Sequence, residues 1–213
     1  MAEPRPPERV FWPTTEVERD RLLDRAAALL RRGDLVVFPT DTVYGVAADA
    51  AQPDAVARLF ALKERPPSKQ IALLVTGLDQ LGGRVPELPA IARPLAARYW
   101  PGPLTLVLRD REGGTVGVRV PNHPIPLALL ARFGAPLATT SANKSAAGSP
   151  RTADEVLAQL PSGYPLLIDG GPCPGGIDST VLDVTGPVPR LLRPGAIPRA
   201  ELEALVGPIS AAG

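Results

Sequence analysis

The chain has 213 residues, 45% of them hydrophobic and 21% charged, which fits one domain with room for a sizeable core. Lys and Arg total 23 against 22 Asp and Glu, so no global field recruits nucleic acid or an anionic membrane, and any basic surface has to be local. The longest aliphatic runs, 35–38 and 71–75, have strand length and cannot span a bilayer, and the N-terminus lacks the apolar core of a signal peptide; a soluble, cytoplasmic protein without membrane contact is expected.

Residues 1–9, Pro-rich and charged, are expected to form a flexible arm ahead of one domain over 10–213. Thr15-x-x-Glu18 reads as a capping box, Leu22, Leu23, Ala26, Leu29 and Leu30 as a helical stripe, and Gly33 as its stop. Residues 35–38 read as a short buried strand broken at Pro39, with the polar segment 40–45 as a loop beside it. The pattern then predicts a helix over 54–62, a basic loop over 63–69, a strand over 71–75 and a helix over 88–100 despite Pro94. Strands over 104–109 and 115–120 flank a Gly-containing turn and predict a hairpin. A helix over 125–133 and a strand over 136–140 follow, and Thr152-x-x-Glu155 is a second capping box opening a helix to about Leu160. Strands over 166–168, 180–184 and 190–192 and a helix over 198–206 complete the chain. Helices alternating with strands, and hairpins later on, predict one α/β domain with a twisted, mixed sheet.

One cysteine, Cys173, excludes an internal disulfide, and one histidine, His123, leaves too few soft ligands for a zinc site within one chain. His123 reads as a turn residue and Cys173 as incidental, so neither supports nucleophilic or acid–base catalysis. Arg outnumbers Lys 20 to 3, which singles out Lys63, Lys69 and Lys144. Lys63-x-Arg65 with Lys69 places three cations in seven residues, a set suited to a triphosphate, although lysines and arginines closing a helix also answer its dipole. Lys144 adjoins Ser141-x-Asn143 in a loop rich in hydroxyls and small residues, able to approach a nucleotide or simply to turn the chain. Arg119 ends a predicted strand and can fork onto a carboxylate or phosphate. Asp41 and Asp49 can help hold Mg²⁺ with ATP or cap turns, and the Gly-rich segment 170–176 is either a flap or a surface turn. No Walker A sequence and no Gly-x-Gly-x-x-Gly after a strand occurs.

Seven segments in order carry a resemblance to a known family: Phe-Pro-Thr-Asp-Thr-Val-Tyr-Gly (38–45), Lys-Glu-Arg-Pro (63–66), Trp-Pro-Gly-Pro-Leu-Thr (100–105), Val-Arg-Val-Pro (118–121), Ser-Ala-Asn (141–143), Ser-Thr-Val (179–181) and Leu-Arg-Pro-Gly (192–195). In these the chain resembles the YrdC/TsaC family of threonylcarbamoyl-adenylate synthases. The resemblance implies a single α/β domain whose mixed, largely antiparallel sheet and flanking helices surround a concave basic cavity. It also implies a nucleotidyltransferase that converts L-threonine, bicarbonate and ATP, carried with Mg²⁺, into threonylcarbamoyl-AMP and pyrophosphate. That product would pass to a tRNA threonylcarbamoyl transferase complex for t6A37 modification. Carried over by position, catalysis falls on Lys63 and Arg65. ATP contacts fall on Arg65, Lys69, Thr115, Ser141, Asn143, Ser149 and Arg193, and threonine contacts on Thr42, Arg119, Thr139 and Ser179, with no residue assigned as a metal ligand.

Two positions depart from the family pattern: Gln70 stands where proline is common, and Leu74 replaces a histidine that helps seat threonine in some relatives. Longer relatives carry a separate C-terminal domain, whereas only 20 residues follow Arg193, so the single-domain form is expected. The competing reading is a non-catalytic module binding double-stranded RNA or tRNA, against which the neutral charge and 4% aromatic content count. A third, a carbamoyl-adenylate enzyme like those in hydrogenase maturation, lacks its usual accompanying segments and cysteines.

Overall fold

In the computed structural model, residues 6–64, 66, 71–145 and 147–211 are described. Among them the chain forms one eleven-stranded sheet and six α-helices, in the order β1 (Glu8–Phe11), α1 (Glu16–Arg31), β2 (Val36–Phe38), β3 (Gly45–Asp49), α2 (Pro53–Leu62), β4 (Ala72–Leu74), α3 (Ala92–Tyr99), β5 (Leu104–Arg109), β6 (Thr115–Arg119), α4 (Pro124–Phe133), β7 (Leu137–Ser141), α5 (Ala153–Gln159), β8 (Leu166–Asp169), β9 (Thr180–Asp183), β10 (Arg190–Arg193), α6 (Arg199–Val206) and β11 (Ser210–Ala211). The spatial order is β1-β8-β2-β3-β7-β4-β6-β5-β9-β10-β11. The sheet is mixed: β2 pairs antiparallel with β3 but parallel with β8, and β5 pairs antiparallel with β6 but parallel with β9.

Both predicted threonine N-caps form. Thr15 accepts from the Glu18 amide ahead of α1, and Thr152 accepts from the Glu155 amide ahead of α5. The helix predicted over 88–100 is shorter, Ala92–Tyr99, because Pro94 belongs in a first turn, where its missing N–H has no intrahelical partner to lose. The predicted arm also ends earlier than residue 9: Glu8–Phe11 is a strand parallel to β8, with Glu8 opposite Leu166. Four residues carry too little pattern to announce a strand whose partner lies at the far end of the sequence.

Side-chain alternation divides the core between the two faces of the sheet. On one face, Val37, Val46, Ala48 and Leu167 pack with α2 and α5 residues, while Leu73, Leu104, Leu106, Leu108, Val118 and Leu182 pack with residues of α3 and α6. On the other, Val36, Phe38, Ala47, Leu137, Leu166 and Ile168 lie beneath Leu22, Leu23, Ala26 and Leu30 of α1 and Leu129, Leu130 and Phe133 of α4. The cover of α1 and α4 reaches Leu74. Beyond it the same face presents Ala72, Gly117, Arg119, Thr105, Val107 and Val181 to a hollow of about 370 Å³. None of the helices among the described residues is long and apolar enough to cross a membrane.

Asp169, at the end of β8, ties β1 and the β2–β3 connection to that strand. Its buried carboxylate accepts from Arg9 Nε at 2.8 Å, the Tyr44 hydroxyl at 3.1 Å and the Gly171 amide at 2.9 Å. Burial pushes the carboxyl pKa up, but the Gly171 amide, Arg9 and Tyr44 outweigh it and hold it below the usual range. A carboxyl with a lowered folded pKa contributes stability in full above its unfolded value, about pH 4, and loses it as pH falls through the folded value. Asp169→Asn is therefore expected to lower unfolding stability at pH 7 by about 1–3 kcal/mol. The gap from the parent should narrow as pH falls below the usual carboxylate range, as read by urea denaturation across pH.

Candidate functional site

The hollow is built around Arg119, the last residue of β6. Pairing in the sheet sets Arg119 opposite Leu74, pointing its side chain into the uncovered face, where it is buried at 7% exposure. Its Nε donates to Gly102 O at 3.0 Å, one terminal nitrogen to Thr42 Oγ1 at 3.0 Å and the other to Asp41 Oδ1 at 2.6 Å. Burial pulls the guanidinium pKa down, and Asp41 opposes that shift. A guanidinium has five N–H donors, so each terminal nitrogen keeps one for a ligand. The arginine is thus aimed, charged and still able to grip a carboxylate bidentately.

Local sequence makes this placement possible. Thr40 Oγ1 donates to Val43 O at 2.7 Å and accepts from the Thr42 amide at 3.1 Å, a hydroxyl-closed turn between β2 and β3 that presents Thr42 inward. A side chain at Gly102 would start 2.6 Å from Tyr99 O, so only glycine brings its carbonyl under Arg119 without backbone displacement. The Gly-rich segment 170–176 is a loop tethered to the β2–β3 turn: Gly175 N donates to Asp41 O and Gly176 N to Thr42 O, at 3.1 and 2.7 Å. Asp41 Oδ1 accepts from Arg119 and from the Asn122 amide at 3.1 Å, and its Oδ2 is buried without a hydrogen-bond partner among the described residues. Asp49 accepts from Ala51 N and Gln52 Nε2. Asp49 thus fixes the turn ahead of α2, and Asp41 orients Arg119.

The opposite wall comes from the ends of β9 and β10. Ser179, buried at 5% exposure, has its hydroxyl 2.9 Å from Thr105 Oγ1 and accepts from Arg193 at 2.9 Å. Arg193 also donates twice to Ser179 O. Thr139 and Ser141, on β7, line the same space. Of the residues expected from the sequence, the hollow thus gathers Thr42, Arg119, Thr139, Ser179, Ser141 and Arg193, together with Leu74.

Other expected residues stand one step back. Lys63 is fully buried, and its ammonium donates to Ser141 O, to Asn143 O at 2.6 Å and to Asn143 Oδ1 at 2.9 Å. It therefore holds the Ser141–Asn143 turn, and Asn143 continues the brace by donating to Ala147 O at 2.6 Å. Ser149 donates to both oxygens of Asp178 at 3.0 Å, and Asp178 lines the hollow. Thr115 opens β6 and lines a second, smaller hollow of about 230 Å³, which shares Ile71 and Gly117 with the first. Arg65, Lys69 and Gln70 lie outside the described residues. His123 caps α4 through Nδ1. Burial raises the Cys173 thiol to about 11, out of nucleophilic range. Sequence reasoning missed Asp178 and gave Asp41 a different role; their signal was position, since each carboxylate immediately precedes a hydroxyl residue named for the site.

With this geometry in hand, similarity to known proteins is informative. Residues 28–195 match the protein family described as "Sua5_yciO_yrdC: Telomere recombination". The threonylcarbamoyl-AMP synthase of Bacillus subtilis (strain 168) is 39% identical over 200 residues, covering 89% of this chain and 58% of that protein. A putative threonylcarbamoyl-AMP synthase of Mycobacterium tuberculosis (strain ATCC 25618 / H37Rv) is 36% identical over 199 residues, covering 89% of this chain and 91% of that protein. The crystal structure of P. abyssi Sua5 complexed with L-threonine superposes with a TM-score of 0.87 at 38% identity, over 96% of this chain and 62% of that one. The chain thus spans less than two thirds of the B. subtilis and P. abyssi proteins. A match that runs from the C-terminal half of α1 to the end of β10 takes in every wall of the hollow, and the chain belongs to the Sua5/YciO/YrdC family.

Proposed function

We propose that the chain is an L-threonylcarbamoyladenylate synthase, a nucleotidyltransferase that forms threonylcarbamoyl-AMP and pyrophosphate from L-threonine, bicarbonate and ATP for t6A37 modification of tRNA. The observation that carries this reading is the buried Arg119, oriented by Asp41, Thr42 and Gly102 with one N–H free on each terminal nitrogen. It fits the carboxylate of a small amino acid, with the hydroxyls of Thr42, Thr139 and Ser179 around it. Ser141, Arg193, Ser149 and Asn143, joined by Thr115 and by Arg65 and Lys69, form the ATP side in this reading.

Threonine's amine, after losing a proton, adds to CO₂ with release of a further proton, or to bicarbonate with release of water, to give a carbamate whose oxygen attacks the α-phosphorus of ATP as pyrophosphate leaves. The protein's task is to bring two anions into line and neutralise them, for which fixed donors and cations suffice and no nucleophilic side chain is needed. Among the described residues no group of three His, Cys, Asp or Glu side chains could hold a metal. Mg²⁺ is accordingly assigned as part of the substrate, MgATP, since this ion keeps its waters and binds largely through phosphate oxygens. The product is handed to a tRNA threonylcarbamoyl transferase complex, and the setting is cytoplasmic.

In this reading Lys63 is a positioning residue and Arg65 touches the polyphosphate. Lys63→Met leaves two carbonyls and an amide oxygen without their cation, so stability should fall by about 3 kcal/mol and the KM for ATP should rise. Arg65→Ala should cut turnover at least about 100-fold. Arg119→Lys keeps the charge and loses the fork, so the KM for threonine should rise about 10- to 100-fold with little change in that for ATP. The deciding measurement is pyrophosphate release from MgATP and bicarbonate with threonine, with serine and with no amino acid. Release with threonine alone is expected; no release, alongside salt-sensitive RNA affinity, would favour an RNA-binding module instead.

A further inference from the structure

An amino acid is a zwitterion, and Arg119 answers only one of its charges. Desolvating the ammonium without a partner costs several kcal/mol, and a carboxylate within the wall offsets both its charge and its donors. Among the described residues lining the hollow, Asp178 is the one acidic side chain. Asp41, the other nearby carboxylate, is outside that lining and already neutralises Arg119.

Asp178 is placed and available. Its carbonyl accepts from the Ala196 amide at 2.9 Å, and a side chain at Gly195 would start 2.4 Å from that carbonyl oxygen, so the close approach of the two segments requires glycine and pins the backbone beside the hollow. Its carboxylate receives the single hydroxyl proton of Ser149, shared between both oxygens at 3.0 Å. A carboxylate has about four acceptor sites, so most of its capacity is unspent. No salt bridge among the described residues involves it. Its field reaches the Arg119 guanidinium, so opposite charges face the same small space. The next residue, Ser179, anchors the wall through Thr105 and Arg193.

We propose that Asp178 is the seat of the amino acid's ammonium group, which makes the hollow a receptor for a free zwitterion: carboxylate on Arg119, ammonium on Asp178. The assignment rests on the function proposed above and deepens it. It selects against ligands of the same carbon skeleton that lack the amine. It also places the reacting nitrogen beside Ser149, on the side assigned to ATP, before carbamate forms.

The test compares L-threonine with (R)-3-hydroxybutyrate, its analogue without the amine, by calorimetry on the parent chain and Asp178→Asn, with MgATP affinity and the denaturation midpoint measured in parallel. Asn keeps an acceptor for Ser149 and loses the charge. Threonine affinity should fall about 10- to 100-fold while hydroxybutyrate and MgATP affinities stay within about 2-fold, so the preference for the aminated ligand collapses. Asp178→Glu should recover part of that preference. Unchanged threonine affinity in Asp178→Asn would overturn the assignment alone, and equal losses for both ligands would replace it with a structural role. A parent chain that binds MgATP but no threonine would overturn the proposed function together with this seat.

Discussion

The site depends on a positive charge held inside the protein. A guanidinium at 7% exposure is tolerable only if its donors are met and its charge is answered, and two separate segments do this for Arg119: the Asp41–Thr42 turn and the Gly102 carbonyl. Each of those segments is in turn fixed by something else. The turn is closed by Thr40 and tied to the 170–176 loop, and the Gly102 amide returns a hydrogen bond to Val120 O at 2.8 Å. The result is a binding group that cannot relax toward solvent. Its geometry is in place before a ligand arrives, which is where a small polar substrate gains affinity and orientation.

The turn after β7 uses a buried cation differently. Lys63 spends its ammonium on the carbonyls and amide of the Ser141–Asn143 turn, so its charge shapes a loop that itself faces the hollow at Ser141. The two cations divide the work by chemistry. Arginine's fork still has donors to offer after three bonds, whereas a lysine ammonium has three protons and the turn offers it three oxygens.

These roles rest on a property of the sheet. Alternation sends Leu104, Leu106, Val118 and Leu182 to the face covered by α3 and α6, and Thr105, Val107, Gly117, Arg119 and Val181 to the face where the cover of α1 and α4 stops. The strands that make the core therefore also make the hollow, with no insertion required. Leu74 sits at the border, packed with α1 and α4 on one side and open to the hollow on the other.

Much of the fold was legible because its signals are local. The N-caps at Thr15 and Thr152, the stripe of α1 and the β5–β6 hairpin need only neighbours within a few residues. β1 and β3 were not, because Glu8–Phe11 and the small-residue run Gly45–Asp49 become strands only through partners distant in sequence. The site divides the same way. The sequence by itself determined the residue types, a fork-forming arginine, hydroxyls and cations in recognisable segments, since those follow from identity and spacing. Tertiary structure alone decided that Asp41 serves Arg119, that Lys63 braces a turn, and that Asp178 stands as the lone carboxylate of the hollow among the described residues. Charge pairing depends on distances of a few Å between segments far apart along the chain, and no local pattern encodes them.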